Sequence, residues 1–220
     1  MKNIIKVASI APKKVYIGNP TKNTEYIKSI LNNIMNKKDI LDIPKIVVFP
    51  ELCLTGYTCG DLFNNQLLVD KSLESLKELV SFSNKDNCPL FTVGVPIRKD
   101  NGLYNCGAII YKGKLLALIP KSYLPNYSVF YDMRNFKAAK NRNNDVYSFI
   151  DNTNTSYEVP FTPNILINDM NSNACIGVEI CEDLWVPISP SRYHCLNGAN
   201  IILNLSASNE TIGKTKYRED

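Results

Sequence analysis

The chain has 220 residues, 45% of them apolar and 21% charged, with a formal net charge of +4. That size accommodates one substantial core and one domain over 1–220, and lysines scattered through surface-like segments argue against nucleic acid as a partner. No apolar run approaches the ~20 residues that span a bilayer, and the start, Met1-Lys2-Asn3-Ile4-Ile5-Lys6-Val7, is charged too early for a secretory signal.

Ile4 to Ile10 reads as an opening strand. Thr21 to Lys38 follows as a helix, with Ile27, Ile30, Leu31, Ile34 and Met35 on one stripe and Asn19-Pro20 or Thr21 at its start. Ile46 to Phe49 is a short buried strand stopped by Pro50 and followed at once by Glu51. Leu67 to Phe82 forms a second helix whose apolar face is Leu68, Leu73, Leu76, Leu79 and Val80. A third strand runs from Leu90 to Val95 and is capped by Pro96. Leu103 to Tyr111 and Lys114 to Ile119 flank Lys112-Gly113 as a hairpin that ends at Pro120-Lys121. Asn135 to Asn154 is polar and carries loops around one strand near Val146 to Ile150. Ile165 to Ile167 and Ala174 to Ile180 make a strand pair, Pro190 to Asn197 a helix, and Asn200 to Leu205 a final buried strand. Hairpins mixed with βα units exclude a purely parallel Rossmann sheet and give a mixed α/β class.

The seven cysteines, Cys53, Cys59, Cys88, Cys106, Cys175, Cys181 and Cys195, include no Cys-x-x-Cys pair, so zinc-ribbon and thioredoxin readings lack support and no metal site is expected. Free thiols fit a reducing compartment, and a cytoplasmic location is expected. Among them Cys181 stands out, because a buried run, Ala174-Cys175-Ile176-Gly177-Val178-Glu179-Ile180, delivers it to a strand end. A thiol needs a base, or a field that lowers its pKa, to attack at neutral pH. The one histidine, His194, lies 13 residues further on a predicted helix that would have to fold back over the strand end. Carboxylates elsewhere are the stronger candidates for the base. Glu51, Lys121 and Cys181 each follow a buried strand directly, and strand ends on one side of a sheet can converge. Together they supply a carboxylate base, a cation for developing negative charge, and a nucleophile.

Three ordered segments carry a family resemblance: Phe49-Pro50-Glu51-Leu52-Cys53-Leu54-Thr55-Gly56-Tyr57, Lys121-Ser122-Tyr123-Leu124-Pro125-Asn126-Tyr127 and Ile180-Cys181-Glu182-Asp183-Leu184-Trp185. They resemble the nitrilase, or carbon-nitrogen hydrolase, superfamily. The run to Phe130-Tyr131-Asp132-Met133-Arg134-Asn135-Phe136 and the Cys-Glu-Asp-Leu-Trp sequence resemble, more narrowly, the amino-terminal glutaminase domain of glutamine-dependent NAD synthetases. The resemblance implies an α-β-β-α four-layer sandwich. It implies Glu51 as base, Cys181 as the nucleophile on the glutamine side-chain amide, and Lys121 with the Glu182 backbone amide as oxyanion donors. It implies a pocket for glutamine lined by Tyr127 and the Ser206-Ala207-Ser208 stretch, with Lys214 on the α-carboxylate and Glu182 on the α-ammonium. Ser206 can instead cap the following turn, which leaves Ser208 as the better ligand. Relatives often place a second glutamate downstream of the lysine; here Asp132 is the corresponding acid, with Glu158 and Glu179 as alternatives. Trp185 reads as a packing anchor. No metal or organic cofactor is implied for the glutaminase reaction. ATP, Mg2+ and deamido-NAD belong to a synthetase domain whose Ser-Gly-Gly-x-Asp-Ser type loop does not occur in these residues. The resemblance implies several further strands beyond the serine-bearing one, so the sandwich is expected to be truncated at its carboxyl end. Relatives assemble through such sandwiches, which implies a homo-oligomer. A stand-alone hydrolase of another small amide, and an inactive docking module, are the competing readings.

Overall fold

The computed structural model describes residues 4–139, 144–170 and 172–219. Positions 140–143 of the expected asparagine-rich loop lie outside them. Strand β1 (Val7–Ser9) leads to helix α1 (Pro20–Met35), where Asn19 accepts from the Lys22 amide and Pro20 occupies the first turn. Next come β2 (Ile46–Val48) and α2 (Gln66–Phe82), which is capped by the Asn65 side chain on the Leu67 amide. Strands β3 (Leu90–Lys99), β4 (Gly102–Tyr111) and β5 (Lys114–Pro120) form a meander. A small hairpin of β6 (Val146–Ile150) and β7 (Ser156–Pro160) precedes β8 (Leu166–Asn168), β9 (Cys175–Ile180), α3 (Pro190–Leu196), β10 (Ile201–Leu205) and α4 (Lys214–Glu219).

Strands β1 to β5 make one sheet in that order, parallel through β3 and antiparallel beyond it. A second sheet has the order β10-β9-β8, with β10 parallel and β8 antiparallel to β9. Leu31 of α1 and Leu76 and Leu79 of α2 pack with Phe49, Phe91 and Val93 on one side of the first sheet. Its other side buries Ile109, Ala117 and Ile119 against Ile176, Val178, Leu203 and Leu205 of the second sheet. Helix α3 covers the outer face of β9, where a Cβ on Gly177 would come within 2.7 Å of the His194 ring. The layers therefore run α-β-β-α.

Pro96 does not end its strand, as the sequence suggests; β3 continues to Lys99 and pairs Pro96 with Asn105. The Gly94 amide points to Pro50 O, so the backbone of Pro96, two residues on, faces the same way and not toward β4. The ladder to β2 has already stopped at Thr92, so the missing N–H breaks no pairing. The hairpin at Lys112-Gly113 has a counterpart at Asp100-Asn101, where φ angles of 46° and 58° form a second left-handed two-residue turn. Strand β7 is also absent from the sequence reading, since Val159 is its one buried residue. Helix α4 buries no side chain and carries no periodic signal. Among the described residues no helix is long and apolar enough to cross a membrane.

Candidate active site

The three strand ends singled out in the sequence meet, but from two sheets and not one. Glu51 and Lys121 leave β2 and β5 of the first sheet, whereas Cys181 leaves β9 of the second. Glu51 sits on a tight loop laid on β3: the Gly94 amide donates to Pro50 O at 3.2 Å, and the Leu54 amide to Gly94 O at 3.2 Å. Leu52, next to it, holds φ 48°.

Lys121 is 1% exposed and its Nζ donates to Glu51 Oε1 and to Asp132 Oδ2, each at 2.7 Å. Asn105 Nδ2 also donates to Glu51 Oε1, at 2.7 Å, and the Ala207 amide donates to Oε2 at 3.0 Å. Tyr57 OH donates to the other oxygen of Asp132 at 2.5 Å. Burial works against the lysine charge, but Glu51 and Asp132 hold its pKa above the ordinary lysine value. The cluster is thus a fixed ammonium between two carboxylates, with two further donors on Glu51 and one on Asp132.

Cys181 is buried at the start of a short 3-10 turn, Cys181–Leu184, with φ 45°. Burial and the Glu51 charge push its thiol up to about 11, against the opposing pull of Lys121, the Ser206 hydroxyl and the Ala207 amide. The thiol is therefore protonated near neutrality and needs a base. Ala207 N–H lies beside both the sulfur and Glu51, so one amide marks where base and nucleophile meet. The left-handed backbone at residue 181 costs an L side chain about 1 kcal/mol. Cys181→Gly should accordingly be more stable than Cys181→Ala by about 1 kcal/mol, a reversal of the usual order of those two residues that thermal unfolding will show.

The other sequence candidates fall as follows. Asp132, not Glu158 or Glu179, is the acid on Lys121. Glu158 is exposed on β7. Glu179 is fully buried on the α3 side of β9, accepting from the Ser191 amide at 3.0 Å and Asn204 Nδ2 at 3.2 Å. His194 does not fold over the strand end; it is 3% exposed on the face of β9, with Nε2 3.3 Å from Val178 O, and burial lowers its pKa. Tyr127 is half exposed and donates to Glu182 Oε2 at 2.8 Å. Lys214 Nζ donates to Ser208 Oγ and Asn209 Oδ1, both at 2.6 Å. Trp185 stacks on Tyr217 of α4 with centroids 4.9 Å apart.

Sequence reasoning gave no role to Asn105, Tyr57 or Asp183, and it named Ala207 only within the Ser206-Ala207-Ser208 stretch and not as a donor to Glu51. Asn105 left a signal, since an amide inside the apolar run Leu103 to Tyr111 must find a buried partner. The Ala207 contact with Glu51 left none, because it is made by backbone alone. Among the described residues no group of three or more His, Cys, Asp or Glu side chains is arranged to hold a metal ion.

The carbon-nitrogen hydrolase family model matches residues 6–218. The chain belongs to the carbon-nitrogen hydrolase family. Within it, the chain is 33% identical over 203 residues to the glutamine-dependent NAD(+) synthetase of Mycobacterium leprae, covering 92% of this chain and 28% of that protein. It is also 33% identical over 175 residues to the enzyme of that name from Rattus norvegicus, covering 78% and 24%. The chain thus spans less than a third of the length of these relatives. Among solved structures, the glutamine-dependent NAD(+) synthetase of Cytophaga hutchinsonii superposes with a TM-score of 0.77 at 28% identity, over 98% of this chain and 33% of that one. An amidase from Nesterenkonia sp. AN1 shares the family fold at 14% identity, with a TM-score of 0.68 over 96% of this chain and 70% of that one.

Proposed function

We propose that this chain hydrolyses the side-chain amide of L-glutamine and serves as the ammonia-supplying part of a glutamine-dependent NAD(+) synthetase. The observation that carries the chemistry is the buried Lys121 ammonium, held between Glu51 and Asp132 beside a thiol too weakly acidic to ionise unaided. Glu51 takes the Cys181 proton as the sulfur attacks the amide carbon. Lys121 and the Glu182 backbone N–H stabilise the oxyanion; donors of this kind contribute about 3 kcal/mol each to lowering the barrier. Protonated Glu51 then gives its proton to the departing nitrogen as the C–N bond breaks, and ammonia leaves a thioester. A water that yields a proton to Glu51 adds to the thioester carbonyl, glutamate departs, and the proton returns to the Cys181 sulfur. These steps use no metal or organic cofactor. Amides need this returned proton because an amide nitrogen is a poor leaving group, and a carboxylic acid at the site provides it.

Substrate recognition falls to residues around this centre. Lys214, whose two described partners are neutral oxygens, keeps its charge for the α-carboxylate, with Ser208 beside it. Glu182, oriented by Tyr127, faces the α-ammonium. The relatives are named glutamine-dependent NAD(+) synthetases; the wider setting, in which the ammonia passes to a synthetase site that uses ATP and Mg2+ to amidate deamido-NAD, is what the family resemblance implies. Copies of the chain are expected to associate into a homo-oligomer, and cytoplasm is the expected compartment.

The test is release of glutamate and ammonia from L-glutamine. Cys181→Ala should reduce it to background, and Lys214→Ala should raise KM at least tenfold with little change in kcat. A wild-type chain that hydrolyses propionamide but not glutamine would favour a small-amide hydrolase in its place.

A further inference from the structure

Asp183 is the one buried acid of the Cys181 turn that the mechanism leaves without a task. It is 1% exposed and lies two residues beyond the nucleophile. Its Oδ1 accepts from the Tyr123 amide at 2.8 Å and the Ser122 amide at 3.1 Å, and its Oδ2 accepts from the Ile180 amide at 3.1 Å. Ser122 is the residue after Lys121, and Ile180 is the residue before Cys181. We propose that Asp183 is a positioning residue: its carboxylate staples the backbone that carries the oxyanion lysine to the backbone that carries the nucleophile, and so sets the distance between the two.

Three features support this role. The staple joins different sheets, since Lys121 leaves β5 of the first and Cys181 leaves β9 of the second. The apolar layer between the sheets is non-directional and fixes no single register, whereas three amide donors on two oxygens do. The group is also costly where it stands. Burial pushes the Asp183 carboxyl up to about 7, against the Ile180 and Tyr123 amides and the Lys121 charge that favour its ionised form. An asparagine or an apolar residue would avoid that cost, but asparagine has one acceptor oxygen and would turn an NH2 group toward an amide donor.

The proposal rests on the Glu51–Lys121–Cys181 chemistry described above, and it predicts a split between two reactions of the same thiol. Acylation by p-nitrophenyl acetate needs Cys181 and the oxyanion donors in register. Alkylation by iodoacetamide, read at pH 10, needs the ionised thiol but neither the base nor an oxyanion donor. Asp183→Asn should slow the acylation burst about 100-fold while the alkylation rate stays within about threefold, and kcat for glutamine should fall with the acylation rate while KM holds. If Asp183→Asn does not fold, Asp183→Ser, which keeps one acceptor and leaves space for a water, gives the same two readouts. Acylation within threefold of wild type would overturn the staple, as would equal losses in both reactions, which is the signature of general loosening. A wild-type thiol that is acylated by the ester yet leaves glutamine intact would overturn the glutamine reading and not this one.

Discussion

Glu51→Gln should lower glutamine hydrolysis at pH 7 by about 10^3- to 10^4-fold while Cys181 stays open to alkylation at pH 10. The size follows from the thiol, which stands at about 11. At pH 7 only about one sulfur in 10^4 is then ionised without help, and general base catalysis is worth about that factor at its upper end. Glutamine cannot take over the role. Lys121 and Asn105 both donate to Oε1 and the Ala207 amide donates to Oε2, so a carboxamide must turn its NH2 toward a donor on one side or the other. The pH profile supplies the sign. The Glu51 charge is one of the causes that raise the Cys181 pKa, so removing it moves the midpoint of iodoacetamide labelling to lower pH. Hydrolysis therefore collapses even as the thiol becomes more acidic, which separates loss of a base from loss of the nucleophile. Hydrolysis within tenfold of wild type would sink Glu51 as the base.

Gly94→Ala should cost about 3 kcal/mol of stability and abolish activity with it. A Cβ there would lie 2.0 Å from Leu52 N, 2.6 Å from Glu51 C and 2.7 Å from Pro50 O. All three are backbone atoms of the loop that presents the base, so no side chain can rotate away to relieve the contact. Either the loop lifts from β3 and takes Glu51 with it, or the strand deforms. Overpacking of this kind costs about 1–3 kcal/mol or more, and for a chain of this length about 3 kcal/mol lowers Tm by about 6–12 °C. Gly107→Ala is the control: its added Cβ would meet only side-chain carbons, Leu205 Cδ2 at 3.4 Å and Val178 Cγ1 at 3.7 Å, and should be tolerated. A Gly94→Ala protein with wild-type Tm and activity would refute the direct seating of the Glu51 loop on β3.

What was legible in the sequence is local. Glu51, Lys121 and Cys181 are visible because each interrupts an apolar run at a point where a strand must end. The Lys112-Gly113 turn is visible because glycine suits its left-handed position, whereas Asp100-Asn101 reaches the same geometry with residues that also serve ordinary loops. The two long helices carry a 3.6-residue stripe that survives in Leu31, Leu76 and Leu79. What was not legible depends on the second sheet. Nothing along the chain places the Ala207 amide on Glu51, 156 residues earlier. Nor does periodicity say that Lys121 and Cys181 belong to different sheets. Pro96 misleads because the rule against proline in strands concerns the N–H side facing a partner, and that side is set by the place where β2 stops. Asp132 could be paired with Lys121 only by the family resemblance, since the loop between them has no regular structure that would bring an acid back to the lysine.

The division of the site between two sheets has a consequence for partly folded states. A compact intermediate that retained both sheets and all helices, but whose side chains had not yet locked between them, would keep its far-UV circular dichroism. It would have no base within reach of its thiol, because Glu51 and Cys181 are neighbours only across the layer formed by Ile109, Ala117 and Ile119 against Val178, Leu203 and Leu205. Turnover in this protein is thus a reporter of tertiary docking rather than of secondary structure, and it should be the last signal to appear during refolding.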